Sequence, residues 1–387
     1  MIAGLSLGTS AWAQPDTVRC LGMRFVFTSI PEIKFQLSDE APNDSIIILK
    51  DSIVESPAFR TWTYELLVQF DAQNVPDWCV VPIIDSTFSR YAPLTRRVIQ
   101  YSAIVLSGFW PSLSYTNGKS DLRVMSLQPV AQAYWTELQG LKLYVIAGDE
   151  AEYDWFMSLP EKYRNGKFNF GFYSDRMPTF ENIVIEEDSV EMFFEPMVGE
   201  TKTYMIHFDV HRTWLNFLMH SPMPDHVNMR RVAFSEIGKQ KLLTSLREYM
   251  PKKDDKEALN FLLAFTAWCS DYQEDWISYG KEKPLCPEQT LGYPTSDCED
   301  KVYLFDFLVG ELLPRLNVIY VQYPEHIAAA VDLKHDVGDV ITVKGKTYSI
   351  CDPTGKSDGS FRMGDKMVDY EDVKPEAIVP VRWKKGR

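Results

Sequence analysis

The chain has 387 residues and a mass of 44.6 kDa, with 40 Lys+Arg against 54 Asp+Glu, a formal charge of −14 and a pI near 5.0. That length accommodates two domains and a sizeable core, and 22 Phe, 19 Tyr and 10 Trp argue against any long disordered stretch. The acidic balance argues against a nucleic-acid partner, because phosphate binding needs a basic stripe.

The N-terminus, Met1 to Gln14, is apolar and rich in small residues, and Ala11-Trp12-Ala13 has the Ala-x-Ala form that a signal peptidase cuts after. It lacks a basic n-region. The pattern predicts a signal peptide over residues 1–13 and an exported protein, periplasmic or extracellular; the competing reading is a frayed apolar terminus. No later run approaches the ~18 apolar residues of a transmembrane segment. Cysteines stand at 20, 79, 269, 286, 298 and 351, with no C-x-x-C pair, which argues against a structural zinc site. Export would permit disulfides, whose connectivity the spacing leaves open.

Residues 14–250 read as an α+β accessory region. Strand signals lie at Met23 to Thr28, Ser45 to Leu49 and Leu141 to Ile146, and helix signals at Leu94 to Leu106 and Val130 to Leu138. Gly148-Asp149-Glu150 predicts a turn into a helix through Met157. A hairpin follows, with Ser189 to Phe194 and Lys202 to Val210 joined through Pro196 to Glu200. His207, Asp209 and His211 alternate along its second strand. They are a candidate metal trio, or a solvated outer face opposite Ile206, Phe208 and Val210.

Met250 to Asp255, charged and broken by Pro251, marks the expected boundary to a C-terminal domain over 251–387. Asp254, with Glu257 three residues on, predicts a capped helix over about 255–271, apolar nearly all round and therefore buried. Asp271 to Thr290 is turn-rich. A second helix is expected from Cys298 to Leu313, then strands at Val318 to Gln322 and Ile327 to Leu333. The last predicted feature is a hairpin of Asp339 to Val343 and Lys346 to Cys351 about Lys344-Gly345. One central helix followed by an antiparallel sheet makes a compact α+β unit.

That unit carries the candidate chemistry. Cys298 stands where a loop becomes a helix, and unpaired N–H groups with a positive dipole end favour a thiolate there. Asp297, Glu299 and Asp300 oppose it unless they point away, cap the helix or hold a cation. A buried structural cysteine is the competing reading. His326 opens one strand and Asp352 follows another. Antiparallel pairing of 327–333 with 346–351 would set the two opposite each other at one sheet edge, with an imidazole between a thiol and a carboxylate. Gly4-Leu5-Ser6-Leu7-Gly8 has the form of a nucleophile elbow but lies in the expected signal peptide. Gly355-Lys356-Ser357 lacks the leading glycine of a phosphate loop.

Ser296-Asp297-Cys298-Glu299-Asp300, Tyr323-Pro324-Glu325-His326 and Cys351-Asp352-Pro353-Thr354 together resemble the transglutaminase-like superfamily, most closely its bacterial cysteine proteinases. The similarity spans roughly Asp255 to Gly364. The resemblance implies a papain-like core with Cys298 as nucleophile, His326 as general base and acid, and Asp352 as the orienting carboxylate. The implied reaction is thioester acyl transfer on protein or peptide amide bonds, ending in hydrolysis or in transfer to an amine. No cofactor is required; the resemblance also makes Asp297, Glu299 and Asp300 candidate Ca2+ ligands. Relatives often carry Phe-Val-Gln where this chain has Phe265-Thr266-Ala267, so oxyanion support falls to Gln273 or to the Cys298 backbone N–H. A binding or envelope-organising protein that keeps the fold without turnover is the alternative.

Overall fold

A computed structural model describes residues 15–38, 41–116, 119–131, 135–138, 141–148, 156–157, 169–195, 200–229, 232–252, 254–355, 362–365 and 374–380. The expected signal peptide and the elbow-like Gly4 to Gly8 lie outside them. The architecture is mixed α+β with antiparallel sheets, and contacts divide it into one unit of Met1–Leu127 with Tyr134–Phe170 and another of Gln128–Ala133 with Gly171–Arg387. The boundary expected near 250 falls inside the second unit.

In the first unit, β1 (Asp16–Cys20) and β2 (Met23–Phe27) form a hairpin whose turn residues, Leu21 and Gly22, both have positive φ. Helices α1 (Asn43–Glu55), α2 (Pro57–Gln73), α3 (Val80–Thr87) and α4 (Pro93–Leu106) follow. Strands β3 (Pro111–Thr116), β4 (Lys119–Met125), β5 (Trp135–Leu138), β6 (Leu141–Gly148) and β7 (Phe156–Met157) make a sheet of order β5-β6-β4-β3-β7. Several expectations fail here. Ser45 to Leu49 is helical: Ile46, Leu49 and Ile53 are buried at helical spacing, a period longer than the window read as a strand. Val130 to Leu138 is not a helix, because Val130 makes an isolated bridge to Pro224 and Trp135–Leu138 pairs with β6. Phe156–Met157, expected to end a helix, pairs with β3.

In the second unit, the hairpin of β8 (Ile185–Phe194) and β9 (Lys202–His211) is in full register. Behind it come α5 (Arg212–His220), α6 (Glu236–Tyr249), packed on β9, and α7 (Asp255–Trp268), packed on β8. Asp254 caps α7 as expected, its carboxylate accepting from Lys256 N–H at 2.9 Å, with Glu257 in the first turn. The turn-rich segment is ordered as β10 (Asp271–Tyr272), α8 (Asp275–Tyr279), α9 (Pro287–Gly292) and β11 (Thr295–Ser296), with β10 and β11 parallel.

Helix α10 (Cys298–Leu312) is the centre of this unit, buried from Cys298 through Val309 and packed among α6, α7, α9 and the sheet. The sheet comprises β12 (Val318–Tyr323), β13 (His326–Val331), β14 (Val340–Val343), β15 (Lys346–Cys351) and β16 (Ala377–Pro380), in the order β14-β15-β13-β12-β16. β13 is buried along its whole length, and the small run Ala328 to Ala330 lets neighbouring layers approach it closely. Polar groups also tie α10 down. Lys301 Nζ donates to Thr266 O, Ala267 O and Ser270 O at 3.3, 3.1 and 2.7 Å, capping the end of α7, and Tyr320 Oη donates to Asp306 at 2.7 Å. No helix among the described residues is long and apolar enough to cross a membrane.

Candidate active site

His326 and Asp352 meet because β13 and β15 pair antiparallel. The register Ala329↔Cys351 sets position 354, not 352, across from His326, so Asp352 is its diagonal neighbour on the same face. The diagonal suits the longer reach of an imidazole: His326 Nε2 lies 2.7 Å from Asp352 Oδ2. Both side chains are buried, 6% and 1% exposed, so little water competes for the bond. Asp352 is itself held, its Oδ1 accepting from Thr354 N–H at 3.0 Å and from Thr354 Oγ1–H at 2.5 Å. Thr354, whose motif was legible in the sequence but whose role was not, completes the carboxylate's set of donors. The bond to Asp352 engages Nε2, so Nδ1 is the nitrogen that base chemistry would use.

Cys298 opens α10 as its first helical residue, with Asp297 as N-cap, and is 8% exposed. The Ile327 backbone N–H, next to His326, reaches its sulfur. The single thiol hydrogen goes to the Glu299 carboxylate, with Sγ 3.1 Å from Oε2. Burial, the charge and hydrogen bond of Glu299 and the charge of Asp297 push the thiol far above its ordinary range, against the pull of the Ile327 N–H. At this helix start the neighbouring carboxylates outweigh the dipole.

The acidic flanks do several jobs. Asp297 and Asp300 form a reciprocal capping box, in which Asp300 Oδ2 accepts from Asp297 N–H at 3.3 Å and the Asp297 side chain turns back to the Asp300 N–H. Asp300 Oδ1 also accepts from Leu285 N–H at 2.6 Å. Burial would raise the Glu299 carboxyl, but hydrogen bonds from Glu282, Cys298, its own backbone and Asp297 outweigh that and hold it low. Glu299 is therefore the charged member. Burial, then the charges of Asp300 and Glu299, push Asp297 up to about 10. Burial and Glu299 push Asp300 well above the usual carboxylate range, and burial pushes Asp275 up to about 6.

Sequence reading missed Asp275 and Glu282 as members of this cluster. Asp275, Asp297 and Asp300 each bring a carboxylate oxygen within 4.8 Å of the others, as do Asp275, Glu282 and Glu299. Oδ1 of Asp275 and Oδ1 of Asp297 are buried with no hydrogen-bond partner among the described residues. Unpaired buried carboxylate oxygens in an all-oxygen donor set fit a hard cation such as Ca2+.

The other candidates have partners of their own. Gln273 follows β10, its backbone N–H donating to Ser296 O at 3.0 Å and its side-chain carbonyl accepting from Ser278 at 2.9 Å. The trio on β9 is divided. Asp209 pairs with Lys241 at 2.6 Å, and buried His211 caps α5 by accepting from Trp214 N–H at 3.1 Å. Ser357 lies outside the described residues. All six cysteines are free. Comparisons of the chain with protein-family models, with curated proteins and with solved structures return no match.

Proposed function

We propose that the chain is an exported cysteine hydrolase of the transglutaminase-like type, with a papain-like core, acting on protein or peptide amide bonds. The observation that carries the reading is the buried His326–Asp352 bond beside a cysteine at a helix start. In the proposed reaction His326 Nδ1 takes the thiol proton as Cys298 Sγ attacks the amide carbonyl carbon. The oxyanion is met by the Cys298 backbone N–H, one of the first-turn donors that a helix leaves without intrahelical partners, or by the Gln273 amide. Collapse breaks the C–N bond, and the leaving amine takes the proton from the imidazolium. Water, deprotonated by the same imidazole, then cleaves the thioester and regenerates the thiol; an amine in place of water gives transfer. Asp352 keeps Nε2 protonated and the ring oriented throughout.

The resting thiol is protonated and bonded to Glu299. A divalent cation such as Ca2+, held by Asp297, Glu299 and Asp300 with Asp275 and Glu282 adjoining, would supply positive charge that offsets these carboxylates. Wild type and Cys298→Ala compared on a peptide panel, with and without Ca2+ and with thiol-probe labelling, test the reading. Cleavage lost in the variant supports it; equal cleavage, or a wild type whose Cys298 never labels, overturns it.

The same bond to Glu299 favours a second reading, a binding protein in which Cys298 is inert and the fold serves recognition. Peptide binding without cleavage or labelling under any metal condition would select it.

A further inference from the structure

The approach to Cys298 runs beside an open sheet edge. β10 bonds to its parallel partner through the residues on either side of Tyr272: Asp271 N–H donates to Pro294 O at 2.9 Å and Gln273 N–H to Ser296 O at 3.0 Å. In a parallel ladder the residue between such donors turns its own N–H and C=O the other way. Neither backbone group of Tyr272 has a partner among the described residues, and the residue is 54% exposed. β11 runs straight into Asp297 and Cys298, so this edge is continuous with the candidate active site.

The next turn of chain adds an apolar surface. Trp276 and Ile277 on α8 are 67% and 69% exposed. Fraying does not explain that exposure, because the segment is fastened. Ser278 Oγ lies 2.9 Å from Gln273 Oε1 and 3.1 Å from Thr295 Oγ1, and the Asp275 carboxylate accepts from Lys283 N–H. Rigid, exposed aromatic side chains are the usual anchors of recognition surfaces. Asp271 and Glu274 are exposed on the same loop, and neither has an ion-pair partner among the described residues.

We propose that the β10 edge and the α8 surface dock an extended polypeptide segment. Its main chain pairs with the N–H and C=O of Tyr272, a large apolar side chain packs on Trp276 and Ile277, and flanking Lys or Arg residues face Asp271 and Glu274. This names the substrate class of the proposed amide hydrolase and rests on that reading for what happens to the bound segment. Main-chain pairing supplies affinity for any extended segment, and the apolar surface with its acidic rim supplies selectivity.

The test separates docking from chemistry by measuring binding on full-length Cys298→Ala protein. Fluorescent decapeptides, one with Phe flanked by Lys and one with Ser flanked by Asp, are titrated by anisotropy. The Phe/Lys peptide is expected to bind at least about tenfold tighter. It should weaken about as much when the Phe amide nitrogen is methylated, and again in Trp276→Ser/Ile277→Ser. Equal affinity for the two peptides, indifference to methylation, or an unchanged double variant overturns the proposal. So does sedimentation with phosphatidylcholine vesicles in place of peptide binding, which would make the patch a lipid contact. If the Phe/Lys peptide binds as expected but wild type cleaves no peptide, docking stands and the hydrolase reading fails. If wild type cleaves both peptides alike and binding ignores the edge, the hydrolase reading stands and docking fails.

Discussion

Two regions meeting near Cys298 manage buried charge in opposite ways. At the sheet edge every polar group on Asp352 has a named partner: His326 on one oxygen, and the N–H and hydroxyl of Thr354 on the other. At the start of α10, by contrast, Asp275, Asp297, Glu299 and Asp300 crowd together, Glu299 is held low while the other three are pushed up, and two carboxylate oxygens are orphaned. A matched buried network specifies one geometry and is costly to break. The cluster at the start of α10 is under-compensated, and burial with the charges of Glu299 and Asp297 raises the neighbouring thiol. On the proposed function, the contrast makes orienting the base and releasing the nucleophile separate tasks. The first is built into the fold as the His326–Asp352 bond, and the second would fall to the proposed cation.

The largest expected effect breaks the matched side. Asp352→Ala strands His326 Nε2 and both Thr354 donors in the interior, and should cost about 3–5 kcal/mol in urea unfolding. Peptide cleavage should fall by about 10²–10⁴. A loss below about 1 kcal/mol would show that the sheet-edge network is not matched as described. On the unmatched side, Asp297→Asn should leave the metal-free protein as stable as its parent or more so, because it removes a carboxyl that burial and its neighbours already push up to about 10. It should also abolish the rise in Tm with Ca2+, a stabilisation of about 2.7 kcal/mol at a hundredfold excess over Kd. An undiminished rise would remove Asp297 from the ligand set.

Smaller effects sharpen the same contrast. Thr354→Val deletes one donor to Asp352 and keeps the backbone N–H, so urea unfolding should register about 1 kcal/mol. Glu288 on α9 tests a buried carboxylate away from both regions. It accepts from Ser235 N–H and Oγ–H at 2.7 and 2.5 Å, yet burial pushes it up to about 7. A carboxyl raised in the folded state holds its proton longer there than in the unfolded chain. Its contribution is therefore fully present below the unfolded pKa of about 4.3 and is lost as pH rises through about 7. Glu288→Gln should flatten that part of the stability–pH curve, and an unchanged slope would remove Glu288 as its source.

The sequence was most legible where one physical rule acted alone. Alternation and the Lys344-Gly345 turn placed the β14–β15 hairpin, and the apolar run after Cys298 placed α10. Antiparallel pairing of β13 with β15 was readable in the same way; the diagonal register was not, because a one-step difference in pairing leaves no mark on composition. Ser45 to Leu49 misled because five residues rich in Ile fit a strand as well as one side of α1. The acid cluster was half legible. Asp297, Glu299 and Asp300 stand together in the chain, whereas Asp275, at the start of α8, and Glu282, just after that helix, join them only through tertiary folding. The orphaned oxygens of Asp275 and Asp297 exist only in three dimensions.

The most direct test of the account is the rate of alkylation at Cys298, read by mass spectrometry from pH 6 to 10, with EGTA or with Ca2+. The account predicts slow labelling with EGTA even at high pH, and acceleration with a lower apparent pKa in Ca2+. Asp297→Asn should lose the response to Ca2+, and His326→Ala should lower the rate that Ca2+ restores. Labelling of Cys298 at the rate of an exposed thiol in EGTA, or a rate indifferent to both Ca2+ and His326, would contradict it.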